Sequence, residues 1–544
     1  MAVRKAITLL LLGLWVLGAA SAAPGAQPDL DKLANELATP ATQKQALDTL
    51  AELDDSAVEV LLRAIKDGAL YRLGTRLVTL GDDGGLKTVN DKPVLDDKGQ
   101  PASLPDGSAP IPLGEEFFGV VQRILERFEI FSKDPSTRRA TAIKLGNSKD
   151  AAVVPILTRA RDQERDPAVK AVIAEQLAKL QLISPDPVVR AAAVRQFGKA
   201  KSETALAQLR TMLTEEKDPA VQRAVREAIE SIESHVELRN MVGYAFNGVS
   251  LGAVLLIMSL GLAVTFGLMG IINMAHGEML MVGSYTAYVI QELFSQHFAA
   301  RQDYYFVVAL PLSFLVTGLV GFLLEASVIR FLYGRPLETL IVTWGIGMIF
   351  QQAARLYFGD QTSVNSPTWF RGGIEAMPGL ILPWSRIFIV VLALVVLGVL
   401  WWLLQRTYVG LRVRAVMQNR GMASCVGVST RRVDAMTFAL GTGLAGVAGC
   451  ALALIGTVDP EVGKTYIVDA FMVVVLGGVG KLVGTVVASF GIGISNKLLE
   501  PSIGGTAAAV YAKVAILVAV ILFLQWRPTG LVRQRGRAAA EAAG

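Results

Sequence analysis

Asn273, His276 and Glu278 stand within six residues of one another inside a stretch, Gly261 to Tyr285, that reads GLAVTFGLMGIINMAHGEMLMVGSY. An amide, an imidazole and a carboxylate can donate, accept and move protons, so the set holds the parts of an acid–base site or of a polar route. The surrounding residues are apolar enough for lipid. A charged side chain in a membrane segment is costly and normally faces a bundle interior or a water-filled path. Side chains two positions apart do not share a helix face, which argues against a simple His276–Glu278 dyad. Two readings remain: groups that knit helices together, and groups that line or gate a route. A bend at His276-Gly277 would serve either.

Other chemistry is scarce. The 544 residues include three histidines (His235, His276 and His297) and two cysteines (Cys425 and Cys450), so no nucleophile–base–orienter set, disulfide framework or metal-ligand spacing can be assembled. No cofactor is expected. Gly463-Lys464-Thr465 and Gly480-Lys481 resemble pieces of a phosphate-binding loop. Val458 and Val475 stand where the first glycine is required, and Leu482 replaces the needed hydroxyl. ATP hydrolysis would therefore belong to another subunit. Hydrophobic residues make up 52% of the chain and charged ones 18%, with a mean hydropathy of +0.46. That composition suits a partly membrane-embedded protein. The net charge of +5 collects in short loops between apolar runs, the pattern of cytoplasmic membrane loops and not of a nucleic-acid-binding face.

The elements that must position these residues follow from the order of the chain. Residues 1–22 have the parts of a signal peptide: Arg4 and Lys5, a short apolar run Ala6–Leu17, and Ala20-Ser21-Ala22 as a cleavage site. Residues 23–240 then form an extracytoplasmic helical domain. Leu33, Leu37, Ala46, Leu50, Leu53, Val58, Leu61 and Leu62 recur at helical spacing. Residues 70–115 read as an irregular insert with one hairpin, with turn signals at Asp83-Gly84, Lys98-Gly99 and Asp106-Gly107. From 134 to 237 the chain repeats. Asp-Pro occurs at 134, 166, 186 and 218, so steps of 32 and 52 residues recur, and Arg138/Arg190 and Gly146/Gly198 keep the 52-residue step. Each Asp-Pro is a helix start. Stacked helix pairs of this kind resemble HEAT-like repeats.

From 241 to 531 apolar runs dominate, with candidate spans at 242–269, 271–291, 304–329, 338–358, 386–404, 434–456, 466–480, 483–499 and 508–525. The runs 466–480 and 483–499 are short and read as broken or re-entrant. The basic loops 330–335, 406–432 and 527–537 belong inside and 359–384 outside, which requires an odd number of crossings; nine satisfies every loop. The tail 532–544 is then cytoplasmic. Gly480 and Gly484 form a small-x-x-x-small pair for helix packing. The expected class is all-α: a polytopic membrane protein with an N-terminal helical-repeat domain.

The loop RTYVGLRVRAVMQNRGMASCVGVSTRR, 406–432, interleaves apolar residues with Arg414, Asn419 and Arg420 and reads as an amphipathic helix able to sit in a partner's groove. That loop, the Gly261–Tyr285 stretch, DAFMVVVLGGVGKLVGTVVASFGIG and the ending WRPTGL resemble the inner-membrane permeases of branched-chain amino acid ABC importers. FLYGRPLETLIVTWGIGMIFQQ and the N-terminal extension are similar to the urea-importer branch of that family. The resemblance implies a permease subunit in the bacterial inner membrane. It would pair with a homologous second permease, two cytoplasmic ATPases and a periplasmic substrate-binding protein. It also implies an ATPase-coupling loop, here Arg414, Met417, Asn419, Arg420, Ala423 and Gly427, although no Glu-Ala-Ala triplet stands in the loop. The expected substrate is urea or a short amide, with Asn273, His276, Glu278, Thr343 and Trp344 along the pathway. The alternatives are a branched-chain amino acid permease and, from a different class, a membrane-anchored repeat-domain scaffold.

Overall fold

The computed structural model describes residues 30–39, 42–52, 56–73, 76–80, 85–88, 93–94, 108–148, 150–270, 273–333, 335–505 and 507–532. The segment 1–22, Leu53, the three turn signals within the insert and the tail from 533 lie outside the described residues. The chain divides into two compact units, Met1–His235 and Val236–Gly544.

The first unit begins with α1 (Leu30–Leu37), α2 (Gln43–Glu52) and α3 (Ser56–Lys66). Leu33, Leu37, Ala46, Leu50, Val58, Leu61 and Leu62 are all buried in one cluster, as their spacing requires. The insert is more regular than a loop with one hairpin. Strands β1 (Leu70–Leu73), β2 (Arg76–Leu80) and β3 (Leu86–Thr88) form a three-stranded antiparallel sheet, with Leu70 opposite Thr79 and Leu80 opposite Leu86. Leu70 and Leu77 join the helical cluster, and that burial holds strands too short to stand alone.

Helices α4 (Phe118–Glu129), α5 (Pro135–Asn147), α6 (Val154–Gln163), α7 (Pro167–Gln181), α8 (Pro187–Ala200) and α9 (Leu206–Glu215) lead to α10 (Pro219–Met269). Residues 219–235 of α10 belong to this unit. Each Asp-Pro does what its chemistry allows. Asp134, Asp166, Asp186 and Asp218 accept from the backbone N–H groups of Ser136, Ala168, Val188 and Ala220 at 2.7–3.2 Å. The Asp134 carboxyl also takes the Ser136 and Thr137 hydroxyls, and these bonds hold its pKa down to about 2. The 52-residue step is a structural one. Arg138 donates two bonds to Glu164 at 2.6 and 2.9 Å and a third to the Ser132 carbonyl at 2.8 Å. Arg190 repeats this with Glu216 at 2.8 and 2.9 Å and the Ser184 carbonyl at 2.9 Å. The guanidinium pulls each glutamate below the usual carboxylate range. Gly146 lies against Gln176 and Gly198 against Ala228, again 52 residues on.

The second unit contains the rest of α10, then α11 (His276–His297), α12 (Tyr305–Ser327), α13 (Pro336–Phe358), a hairpin of β4 (Gly373–Met377) and β5 (Leu380–Pro383), and α14 (Trp384–Arg406). It continues with α15 (Tyr408–Gln418), α16 (Arg420–Cys425), α17 (Thr430–Leu452), α18 (Val462–Gly477), α19 (Leu482–Ile503) and α20 (Ala508–Trp526). Each of the nine candidate spans overlaps one helix and runs past its ends by at most five residues. Among the described residues six of them, α10, α12, α14, α17, α19 and α20, are long and apolar enough to cross a membrane. The run at 483–499 is therefore part of a full-length helix of 22 residues. At 16 residues α18 reaches roughly 24 Å, short of a hydrocarbon core of about 30 Å.

The most apolar windows of α10 and α17 are 83% buried, whereas those of α14 and α20 are 22% buried. The first two are the centre of the bundle and the others its outer wall. Lipid gives no hydrophobic drive for helix association, so close backbone approach must supply it. A Cβ on Gly449 of α17 would stand 1.9 Å from the Leu280 carbonyl oxygen, and one on Gly441 would meet Thr265 at 2.5 Å. Gly480 and Gly484 both pack closely, but on different partners: a Cβ on Gly267 of α10 would lie 3.1 Å from Gly480 Cα. Gly484 meets Gly477 across the α18–α19 turn, and Gly480 sits in that turn with φ of +74°.

Candidate functional site

The polar stretch lies where the backbone leaves the helix. Gly270, with φ of +61°, ends α10, and the chain turns through Asn273–Ala275 before α11 starts at His276. The break is thus ahead of the His276-Gly277 position expected for it, because Gly270 takes a left-handed backbone and Gly277 does not. Asn273 stabilises the turn by accepting from the Ala275 N–H at 3.1 Å. Thr343 on α13 accepts from the Met274 N–H at 3.1 Å and donates to the Thr339 carbonyl at 2.7 Å.

Glu278 is 4% exposed and receives a 2.6 Å bond from the Gln351 amide on α13. Two glycines make room for it. A Cβ on Gly347 would be 3.2 Å from Glu278 Cγ, and one on Gly463 of α18 would be 2.9 Å from Glu278 Oε2. Gly463 also crosses Gly277 so tightly that its Cβ would sit 2.6 Å from the Gly277 carbonyl oxygen. The Gly463-Lys464-Thr465 triplet is therefore a helix-crossing point. His276 faces the other way, toward α10. Its Nε2 lies 3.1 Å from the Met258 carbonyl oxygen, an acceptor, which makes Nε2 the protonated nitrogen and leaves Nδ1 as a lone-pair acceptor.

Three buried polar atoms here have no hydrogen-bond partner among the described residues: Asn273 Nδ2, His276 Nδ1 and Glu278 Oε2. Such an atom costs about 1–3 kcal/mol when left unmatched. The set comprises one donor and two acceptors. Thr343, Asn273 and Glu278 are brought together by α13, and His276 borders the same break from the α10 side. Trp344 is not part of it. It is 56% exposed on the flank of α13, about 100° round the helix from Thr343, while the buried stripe runs Thr339, Thr343, Gly347, Gln351 at four-residue steps. That stripe was the available signal for Gln351. Tyr285, two helical turns beyond Glu278 on α11, is a further buried residue whose hydroxyl has no partner among the described residues.

A second polar cluster lies at the basic loop, which folds as two helices, α15 and α16. Asn419 caps α16 by accepting from the Met422 N–H at 2.9 Å, and Gly427 follows with φ of +84°. Ala423 is buried against Val413, Val416 and Val433. It does not face outward, and Arg414, Met417, Met422 and Val426 form the exposed side. Arg420 pairs with Asp434 of α17 and lies 4.7 Å over the Tyr333 ring, whose hydroxyl donates to Glu325 of α12 at 3.0 Å. Asp434 and Glu325 are fully buried. This chain of contacts ties the basic loop to two spans, and neither its acids nor Tyr333 were marked by any sequence spacing.

The profile of the family described as "Branched-chain amino acid transport system / permease component" matches residues 244–524. The chain belongs to this family. A profile of HEAT repeats matches residues 177–245. Among relatives, the "High-affinity branched-chain amino acid transport system permease protein BraD" of Pseudomonas aeruginosa is 28% identical over 302 residues, 54% of this chain and 97% of that protein. LivH of Escherichia coli (strain K12), a permease protein of the same description, is 29% identical over 318 residues, covering 53% of this chain and 94% of its own. A probable LivH of Methanocaldococcus jannaschii is 28% identical over 286 residues, 51% of this chain and 88% of that protein. No solved structure matches the chain. The permease family so identified is an all-α polytopic membrane fold preceded here by helical repeats.

Proposed function

We propose that the chain is the membrane-spanning permease subunit of an ATP-driven importer in the bacterial inner membrane, passing a small polar solute by way of the α10–α11 break. The observation that carries this reading is the coincidence of a permease-family profile with three unpartnered, buried polar atoms at the break between α10 and α11. Broken helices supply such sites in transporters because their freed groups can face a cavity. Asn273, His276 and Glu278 would contact the solute, and Thr343 would hold the turn that presents Asn273. Two cytoplasmic ATPases would drive transport through α15 and α16. A homologous second permease would complete the route, and a periplasmic binding protein would deliver the solute. The repeat domain, 23–240, would then lie on the periplasmic side after removal of 1–22, with the C-terminus inside.

On substrate, the names of the relatives favour branched-chain amino acids. A second reading, urea or a short amide, is favoured by two features of this chain. One donor and two acceptors are the complement of an amide's C=O and N–H groups. The family profile also begins only at 244, behind an N-terminal extension whose resemblance to the urea-importer branch rests on the sequence alone. Uptake of labelled leucine and labelled urea in a strain lacking this chain, with and without the chain restored, separates them. Restored leucine uptake alone supports the first and restored urea uptake alone the second. Neither being restored, with the assembled complex intact, overturns the importer reading for both solutes.

A further inference from the structure

A cleft of about 360 Å³ opens where α10, α14, α15 and the start of α19 meet. Val264, Trp401, Leu404 and Leu482 form an apolar wall, and Arg414 and Lys481 stand at its rim. Lys481 lies in the turn formed by Gly478 and Gly480, with φ of +95° and +74°. Arg414 donates to the neutral Gln405 side chain at 3.0 Å. Among the described residues neither cation has a carboxylate within ion-pair distance. Two uncompensated positive charges beside an apolar wall fit a ligand with an anionic head and hydrocarbon tails.

The setting points to the membrane as its source. Six arginines, 406, 412, 414, 420, 431 and 432, fall in the stretch that carries α15 and α16. The excess of Lys and Arg on cytoplasmic loops puts this end of the bundle at the inner leaflet. Basic pockets between spans on that side meet anionic headgroups, while long cationic side chains keep their stems along apolar surface. We propose that this cleft binds one anionic phospholipid, with its phosphate between Arg414 and Lys481 and its acyl chains along Trp401 and Leu404. The site rests on the second unit spanning a membrane and is independent of which solute is carried. A lipid here touches α15, so it would brace the helix that α16 and the Arg420–Asp434 contact tie to the bundle.

Native mass spectrometry of the full-length chain, alone and assembled with its partner subunits, tests this with titrated phosphatidylglycerol and phosphatidylcholine. The expected result is retention of one phosphatidylglycerol and no specific phosphatidylcholine. Lys481→Gln should weaken retention about five-fold, and Arg414→Gln with Lys481→Gln about 25-fold. Lys481→Arg should retain the lipid, which separates lost charge from lost folding. Equal retention of both lipids, or unchanged retention in the double variant, overturns the site. Complete displacement by millimolar inorganic phosphate would make it a free-anion site, and loss of the lipid on assembly would make it a subunit contact. Either outcome also overturns the proposal.

Discussion

The arginine–glutamate contacts of the repeat unit and the α10–α11 break of the membrane unit both bury charged and polar side chains, but they finish them differently. In the repeats, Arg138 and Arg190 each spend their donors on a glutamate and on a backbone carbonyl, and the pattern recurs after 52 residues. At the break between α10 and α11, each polar side chain makes one bond that fixes its direction and keeps one atom unmatched. A closed set of bonds holds a scaffold together. A half-closed set, held by a neighbouring helix, is arranged for something that arrives. Single unmatched atoms occur in the repeat unit as well, at Gln176 Oε1 and His235 Nε2, so what sets the break apart is the cluster of three; under the proposed function that cluster serves transport.

The largest loss is expected at the α11–α18 crossing. Gly463→Leu would drive a side chain into the Gly277 backbone, and overpacking of that kind costs about 1–3 kcal/mol or more. Uptake should fall to background with less folded protein in the membrane; unchanged uptake would remove this crossing from the site. Glu278→Gln keeps the shape and the bond to Gln351, and should cut uptake about ten-fold while leaving the melting temperature in place. Glu164→Gln and Glu216→Gln should do the reverse, lowering the melting temperature and sparing uptake. If all three lowered stability alike, the distinction between the two regions would be lost.

Thr343→Val should act more mildly. The Met274 N–H loses its acceptor, at about 1–3 kcal/mol, and uptake per folded molecule should fall several-fold. Arg138→Lys and Arg190→Lys test the repeat itself. Lysine cannot make the two-pronged contact, so both should lower the melting temperature by the same amount; unequal losses would mean the two units are not equivalent. The smallest effect belongs to pH. Because the Asp134 carboxyl is held down to about 2 in the folded chain, its contribution is present above the ordinary aspartate value near 4 and is lost as pH falls toward 2. Far-UV circular dichroism should show the acid-induced loss of helix to be shallower in Asp134→Ala than in the parent.

Much of this protein was readable one residue at a time. Apolar runs, Asp-Pro caps and the 52-residue step are local patterns, and each constrains the chain within a few turns of itself. They located nine helices of the membrane unit, the repeat starts and the polar stretch at Asn273–Glu278. Local pattern misjudged what depends on distant partners. The insert at 70–115 gained a sheet because Leu70 and Leu77 found a helical core. Trp344 turned out of the site because Thr339, Thr343 and Gln351 set the inward stripe of α13. Gly463, whose phosphate-loop resemblance Val458 already excluded, is a notch beside Glu278 that no local spacing marked. Gln351, Glu325 and Asp434 are polar residues of ordinary type, and each acquires its role from a side chain or backbone on another helix. The sequence by itself determined where helices start, stop and repeat, since those choices are made by short-range bonds and spacing. Which faces meet, and which polar atoms are left unmatched, only the tertiary structure decided, because contacts across a bundle join residues that no local spacing relates.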